Sequence, residues 1–266
     1  MRHHLVVLAA LVAACSSSTT PHAGPRLRSC TDAKGAAVTP SPSFAVLVFT
    51  RTAAYVHASI PDGVAALHAL GGVTGFSVEE TSDPGRFTDA GLAPYRAIVF
   101  LSTTGDVLDD AQQGAFQRWL AAGHGWVGIH SASDTEYDWP WYQSMLGAHF
   151  AGHPAIQKAT VRVVDATQLS TRPLPSTIAR TDEWYNFNQQ PAGAHLLVTV
   201  DESSYQGGTM GATHPMSWMK EFEGGRVWYT AMGHTSESYA EIPFLEHLRG
   251  GVLWAAGMDT LTTCPL

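Results

Sequence analysis

Four histidines occupy positions where an imidazole could act on a ligand. His57, His130, His214 and His234 each lie where an apolar run meets a loop. Imidazole titrates near neutrality, so it serves as acid, base or metal ligand with little adjustment. Glu183 is flanked by Trp184 and Tyr185, and such rings would desolvate its carboxyl and raise its pKa toward general-acid use. His130-Ser131 follows a strand-like run directly. That is where many α/β hydrolytic folds raise a nucleophile, although the flanks here lack Gly-x-Ser-x-Gly. The pattern predicts proton transfer by His130, Glu183 and His234, with His57, Ser131, Tyr185 and His214 binding substrate. An alternative puts a divalent metal, zinc by donor type, on His57, His130, Glu183, His214 or His234, with an open position to activate water. No His-x-x-x-His or His-x-His pair occurs within these segments, so such ligands must converge by folding. Asp134 and Glu136 could accept hydrogen bonds from sugar hydroxyls or cap a helix beginning near Trp139. Trp139-Pro140-Trp141-Tyr142 and Trp184-Tyr185 offer faces for sugar rings or for core packing.

The elements that must position these groups alternate. Phe44 to Phe49, Ala97 to Leu101 and Gly125 to His130 are short continuous apolar runs, the pattern of strands buried on both faces. Phe76 to Glu80 reads as a further strand. Ser59-Ile60-Pro61-Asp62 predicts a capped helix start, and Gly71-Gly72 its stop. Asp109 predicts a second cap, with Phe116, Trp119 and Leu120 facing inward and Gly123 ending that helix. The second half is richer in strands: Thr160 to Val164, Leu196 to Val200, Met216 to Phe222 and Val227 to Met232, with Gly207-Gly208 and Gly224-Gly225 as turns. Phe244 to Ala256 reads as a closing helix. Strand–helix–strand alternation predicts a mostly parallel central sheet covered on both faces. Ligands bind beyond the carboxyl ends of such strands. The segments Thr50 to His57, Ser102 to Asp106, His130 to Glu136, Asp182 to Phe187, and His214-Pro215 with Gly233 to Thr235 would then share one rim. His68, His195 and His247 fall within helices or at a strand start and read as surface or packing residues. One domain over residues 44–258 is the economical reading, followed by a tail, 259–266.

The N-terminus reads as an address. Arg2, His3 and His4 precede the apolar run Leu5 to Ala14, which is too short to span a bilayer. Small residues then precede Cys15, and a Ser/Thr run follows. This predicts a lipoprotein signal over residues 1–14, acylation of Cys15, a flexible tether over 15–43, and anchoring at a bacterial membrane surface on the exported side. In an oxidising compartment the remaining Cys30 and Cys264 are expected to pair.

Composition closes other routes. The chain of 266 residues carries 15 basic and 23 acidic side chains, a net charge of −8, where a nucleic-acid surface needs a basic excess. Three cysteines exclude a disulfide-dense scaffold and a four-cysteine zinc finger. No Gly-x-Gly-x-x-Gly follows a strand and no phosphate loop occurs, so dinucleotide and triphosphate sites are unsupported.

Longer motifs carry a family resemblance. Val48-Phe49-Thr50 with His57-Ala58-Ser59-Ile60-Pro61 resembles the opening of trehalose-utilisation (ThuA-like) domains. So do Gly128 to Asp134, Thr181 to Phe187, His214 to Trp218, Gly225 to Thr235 and Phe244 to Trp254. The resemblance spans residues 44–257 in order. It implies a flavodoxin-like sandwich of the class I glutamine amidotransferase type. That superfamily carries a Cys nucleophile at the strand-to-helix elbow, where this chain has His130-Ser131, so Cys-dependent amide hydrolysis does not transfer. The resemblance also implies carbohydrate catabolism, of trehalose and similar disaccharides including keto forms. Three readings follow: an exported enzyme performing hydrolysis, elimination or isomerisation on a glycoside or keto-sugar, a zinc-dependent hydrolase, and a non-catalytic sugar-binding lipoprotein.

Overall fold

The structure is a computed structural model that describes residues 43–259 continuously, together with 24, 25, 27, 30, 31, 37, 38 and 266. Residues 1–14, expected to be a signal, together with Cys15 and Cys264, lie outside the described residues, and of Cys30 only the backbone is described. The expected lipidation and the Cys30–Cys264 bridge therefore lie outside them too. Within the segment read as a tether, Cys30–Thr31 (β1) pairs antiparallel with Ala37–Val38 (β2).

The apolar runs form the sheet centre as their pattern requires. Phe44–Phe49 is β3, Phe76–Thr81 is β4, Ala97–Leu101 is β5 and Gly125–Ile129 is β6. Every residue of β5 and β6 is buried. Helix α1, Ile60–Thr74, connects β3 to β4. It runs past the expected stop at Gly71-Gly72 and ends on Gly75, in the left-handed conformation with φ 95°. Gly71 serves close packing instead, since a Cβ there would stand 2.5 Å from the Phe76 carbonyl oxygen. Ser59 precedes α1 but makes no side-chain cap, and its hydroxyl reaches the Gly233 carbonyl at 3.3 Å. The short helix α2, Asp89–Leu92, precedes β5, and α3, Asp110–Ala121, follows it. Asp109 and Gln112 form a reciprocal capping box on α3. Pro140–Leu146 is α4.

The second half adds a ribbon and a wing. Phe150–Gly152 (β7) pairs with Asn186–Phe187 (β10). Gln157–Val163 (β8), Thr177–Asp182 (β9), His195–Val200 (β11), His214–Phe222 (β12) and Gly225–Thr230 (β13) join the main sheet. Helix α5, Ile242–Ala255, closes the fold. The β12–β13 turn sits on Glu223 and Gly224, both with positive φ (49° and 91°), as a tight two-residue hairpin demands.

The nine-stranded sheet has the order β4-β3-β5-β6-β13-β12-β11-β8-β9. The first five strands are parallel, and the last four are added antiparallel. The parallel half has the 2-1-3-4-5 order of flavodoxin-like folds. Alternation along β5 shows the two faces. Phe100 stacks on Phe116 of α3 and lies near Trp126 and Tyr142, whereas Leu101 packs beneath Gly63 of α1. On the α1 and α5 face, Gly251 lets α5 ride directly on the Trp228 indole.

The wing curls. Four strand spacings separate β13 from β9, about 19 Å if the sheet were flat. Yet Asp182, at the end of β9, hydrogen-bonds the backbone just beyond β13. Arg180 of β9 lies 4.7 Å over the Phe244 ring and donates to Ser238 at 2.8 Å. The edge strand therefore folds over the N-terminal end of α5. Because β9 runs in the same sense as the parallel strands, its carboxyl end meets theirs.

Candidate functional site

The parallel strands end where the sequence places its polar groups. His57 lies in the loop after β3, and His234 in the loop after β13. His130 follows β6 directly, with φ 55°, a conformation L-residues seldom adopt and one that clusters at functional sites. The Tyr229 hydroxyl holds this bend by donating to the His130 carbonyl at 2.7 Å. Glu183 arrives from the wing, one residue past β9.

These four side chains converge. One ligand-capable atom from each of His57, His130, Glu183 and His234 lies within 4.8 Å of the others. Glu183 Oε2 stands 3.0 Å from His234 Nδ1 and 3.4 Å from His130 Nε2. His130 Nε2 is 3.0 Å from both His234 Nδ1 and the Tyr185 hydroxyl. His130 Nδ1 faces the Ala231 carbonyl at 2.8 Å, so that nitrogen carries a hydrogen and donates. Ser131 Oγ lies 3.3 Å from His57 Nδ1. Fully buried Asp182 braces the group: Oδ1 accepts from the Glu183 and His234 amides at 2.9 and 3.0 Å, and Oδ2 accepts from the Gly233 amide at 2.9 Å.

Burial and mutual charge set the protonation states. Burial, reinforced by the neighbouring His130 and His234, pushes His57 down to about 3, so it is neutral at pH 7. Burial alone would raise the Glu183 carboxyl, as expected from its aromatic neighbours. The neighbouring His130 and His234 imidazoles reverse this and hold it well below the usual carboxylate range. Burial lowers His234, but the Glu183 carboxylate outweighs it and the net shift is upward.

The group adjoins a cleft of ≈ 510 Å³, whose lining includes Tyr55, Asp134, Phe150, His153, Ile156 and Tyr185 besides His57, Glu183 and His234. His153 Nδ1 lies 2.9 Å from Glu183 Oε1. Phe150 and Tyr185 pack with ring centroids 4.3 Å apart, so the β7–β10 ribbon supplies one wall. Burial raises the Asp134 carboxyl, against a 2.6 Å hydrogen bond from Tyr137.

Other expected residues stand elsewhere. His214 is buried off the group: Nδ1 meets Glu202 at 2.8 Å and Tyr205 at 3.0 Å, and Nε2 meets the Tyr185 carbonyl at 2.7 Å. It positions Tyr185 and is neither a cleft residue nor a member of the donor group. Ser131 is buried and orients His57 rather than facing the cleft. Glu136 is buried too and accepts from the Val107 and Leu108 amides and from Gln113, each at 2.8 Å. It therefore neither meets a sugar nor caps α4. Trp139 stacks on Trp141 at 4.9 Å within the core, and Trp184 is fully buried, so packing claims both. His247 is buried beneath the sheet, and His68 and His195 are exposed. His153 and the bracing role of Asp182 escape sequence reasoning. The one signal for His153 is its spacing from His149, four residues, in a segment with no strand-like run.

A mostly parallel α/β sheet of flavodoxin order, with imidazoles and a carboxylate at its carboxyl rim and His130-Ser131 at the strand-to-helix elbow, defines the class. The chain belongs to the trehalose utilisation (ThuA) family, whose profile matches residues 45–255. Among solved structures, a ThuA-like protein from Bacteroides uniformis superposes with a TM-score of 0.71 at 22% identity, covering 83% of this chain and 94% of that one. A ThuA-like protein from Parabacteroides merdae gives 0.65 at 18% identity, covering 81% and 90%. A β-galactosidase from Bacillus circulans gives 0.54 at 12% identity, covering 86% of this chain and 32% of the enzyme. These likenesses concern the fold. No curated protein matches the chain.

Proposed function

We propose that the protein is an exported, lipid-anchored enzyme of carbohydrate utilisation that acts on a glycoside or keto-sugar in the cleft. The observation that carries this reading is the meeting of His57, His130, Glu183 and His234, from four separate segments, beside one cleft. Family membership supports the sugar. A cleft of ≈ 510 Å³ lies within the range of small-molecule sites, and exposed Tyr55 with Phe150 and Tyr185 supplies apolar faces for sugar rings. Neutral His57 can hold a sugar hydroxyl by hydrogen bond, and His234, paired with the Glu183 carboxylate, can pass a proton to or from a sugar oxygen. Hydrolysis, elimination and isomerisation all need a positioned sugar oxygen and a proton carrier beside it. Export rests on the Arg2-to-Cys15 pattern. In this reading the anchor is an acylated Cys15; among the described residues no helix is long and apolar enough to cross a membrane.

The test is turnover of trehalose, its keto derivative and related disaccharides by the purified protein and by His130→Ala. Turnover of at least one sugar, reduced about a hundredfold or more in the variant, is expected. No turnover of any sugar, or equal rates in the two proteins, overturns the reading. Mass analysis of the protein from its native host is expected to find acylated Cys15 at the N-terminus, and an intact Met1 refutes anchoring.

A further inference from the structure

We infer that His57, His130, Glu183 and His234 form a binding site for one divalent transition-metal ion of the zinc class. This deepens the reading above, because it rests on the same four groups forming a functional centre. The spacing carries it first. Zinc holds nitrogen and oxygen ligands at about 2.0–2.2 Å, so the edges of its tetrahedron measure about 3.3–3.6 Å. The three closest donor atoms stand 3.0, 3.0 and 3.4 Å apart, and the fourth completes the group within 4.8 Å. Small side-chain shifts convert this arrangement into a coordination shell.

The hydrogen bonding points the same way. The Ala231 carbonyl fixes a hydrogen on His130 Nδ1. Nε2 then turns its lone pair toward the Glu183 carboxylate, 3.4 Å away. The Tyr185 hydroxyl, 3.0 Å away, can donate to that lone pair, and a cation bound beside it would engage both the imidazole and the carboxylate. Metal-bound imidazoles characteristically donate their second nitrogen to a carbonyl or another outer partner. His130 does so to Ala231, and His57 has Ser131 at Nδ1. Asp182 fixes the backbone of both Glu183 and His234, and His153 engages the far oxygen of Glu183. Three imidazoles and one carboxylate suit zinc and its first-row neighbours rather than magnesium or calcium. With three of the four donors lining the cleft, an ion held there would face a sugar hydroxyl or carbonyl. When bound it would polarise that oxygen or acidify a water.

The experiment strips the protein with a chelator and titrates Zn²⁺ by calorimetry into wild type, His130→Ala and Glu183→Gln. One ion per chain is expected in wild type, with affinity about a hundredfold or more weaker in each variant and no comparable binding of Mg²⁺. A parallel Co²⁺ titration of wild type is expected to show the visible bands of a nitrogen- and oxygen-ligated cobalt ion, a readout that needs no variant to fold. Absence of stoichiometric zinc, or zinc bound equally by folded variants, overturns the inference. Zinc bound at these residues with every sugar untouched removes the carbohydrate reading alone. Sugar turnover unaffected in protein that takes up no zinc removes the metal alone.

Discussion

Asp182→Asn tests how the centre is held together. The substitution preserves shape and removes charge. One amide oxygen can still accept from the Glu183 and His234 backbones, replacing Oδ1. The new NH₂ then points at the Gly233 amide and at Arg180 Nη2, 2.9 and 3.2 Å away in the wild type, and sets donor against donor. Losing a hydrogen bond to a charged acceptor costs about 1.5–3 kcal/mol. Breaking a buried ion pair by neutralising one partner costs about 3–5 kcal/mol. Both Arg180 and Asp182 are buried, but Arg180 keeps Glu241 at 3.2 Å, so the two penalties overlap. A net loss of about 3–5 kcal/mol is expected. Urea unfolding at pH 7.5 measures it, with equal m-values for the two proteins showing that the folded state is otherwise retained. Zinc affinity is expected to fall about tenfold to a hundredfold, the usual effect of losing an outer partner. A stability loss below about 1 kcal/mol, with unchanged zinc binding, refutes the claim that this carboxylate braces the site.

Two further outcomes concern the scaffold. His247 is wholly buried, and desolvation lowers it from 6.5 to about 4. The unfolded chain therefore binds the extra proton first. Its contribution is fully present above about pH 6.5 and is lost as pH falls toward 4. From pH 7 to pH 5 the loss is about 2 kcal/mol, and His247→Asn is expected to flatten the slope of stability against pH by that amount. A slope identical to wild type removes His247 as its source. Neighbouring glycines in α1 should respond with opposite signs. Gly71→Ala meets the Phe76 carbonyl at 2.5 Å, whereas Gly72→Ala meets nothing within 4 Å. Thermal melts should show the first destabilised by about 1–3 kcal/mol and the second stabilised by about 0.5–1 kcal/mol. A gain from Gly71→Ala contradicts the packing described.

Sequence reasoning reached the parallel half because its strands are short, wholly apolar and punctuated. Runs such as Ala97–Leu101 have no other stable use, and parallel winding then puts their exits on one rim. His57, His130 and His234 were legible for that reason. Glu183 was legible only through its polar-aromatic segment, since β9 alternates and sits on an edge. His214 misleads because β12 runs antiparallel to β13: its start reaches the same rim, but Glu202 and Tyr205 close around the ring. Ser59 looked like a cap and proved to be a tie to Gly233. The direction of the Glu183 shift was hidden because its imidazole partners come from residues 130 and 234. His153 follows a three-residue strand, too short to show any period.

The curl of the wing has a consequence for how the centre is assembled. The imidazoles belong to the parallel half, and the carboxylate belongs to the outermost strand folded back upon it. An ion or substrate gripped between them would therefore work as a clasp, with part of its binding energy going into keeping the two halves of one sheet shut. Occupancy should slow hydrogen exchange along β9 more than along β5, although β5 is the more deeply enclosed strand.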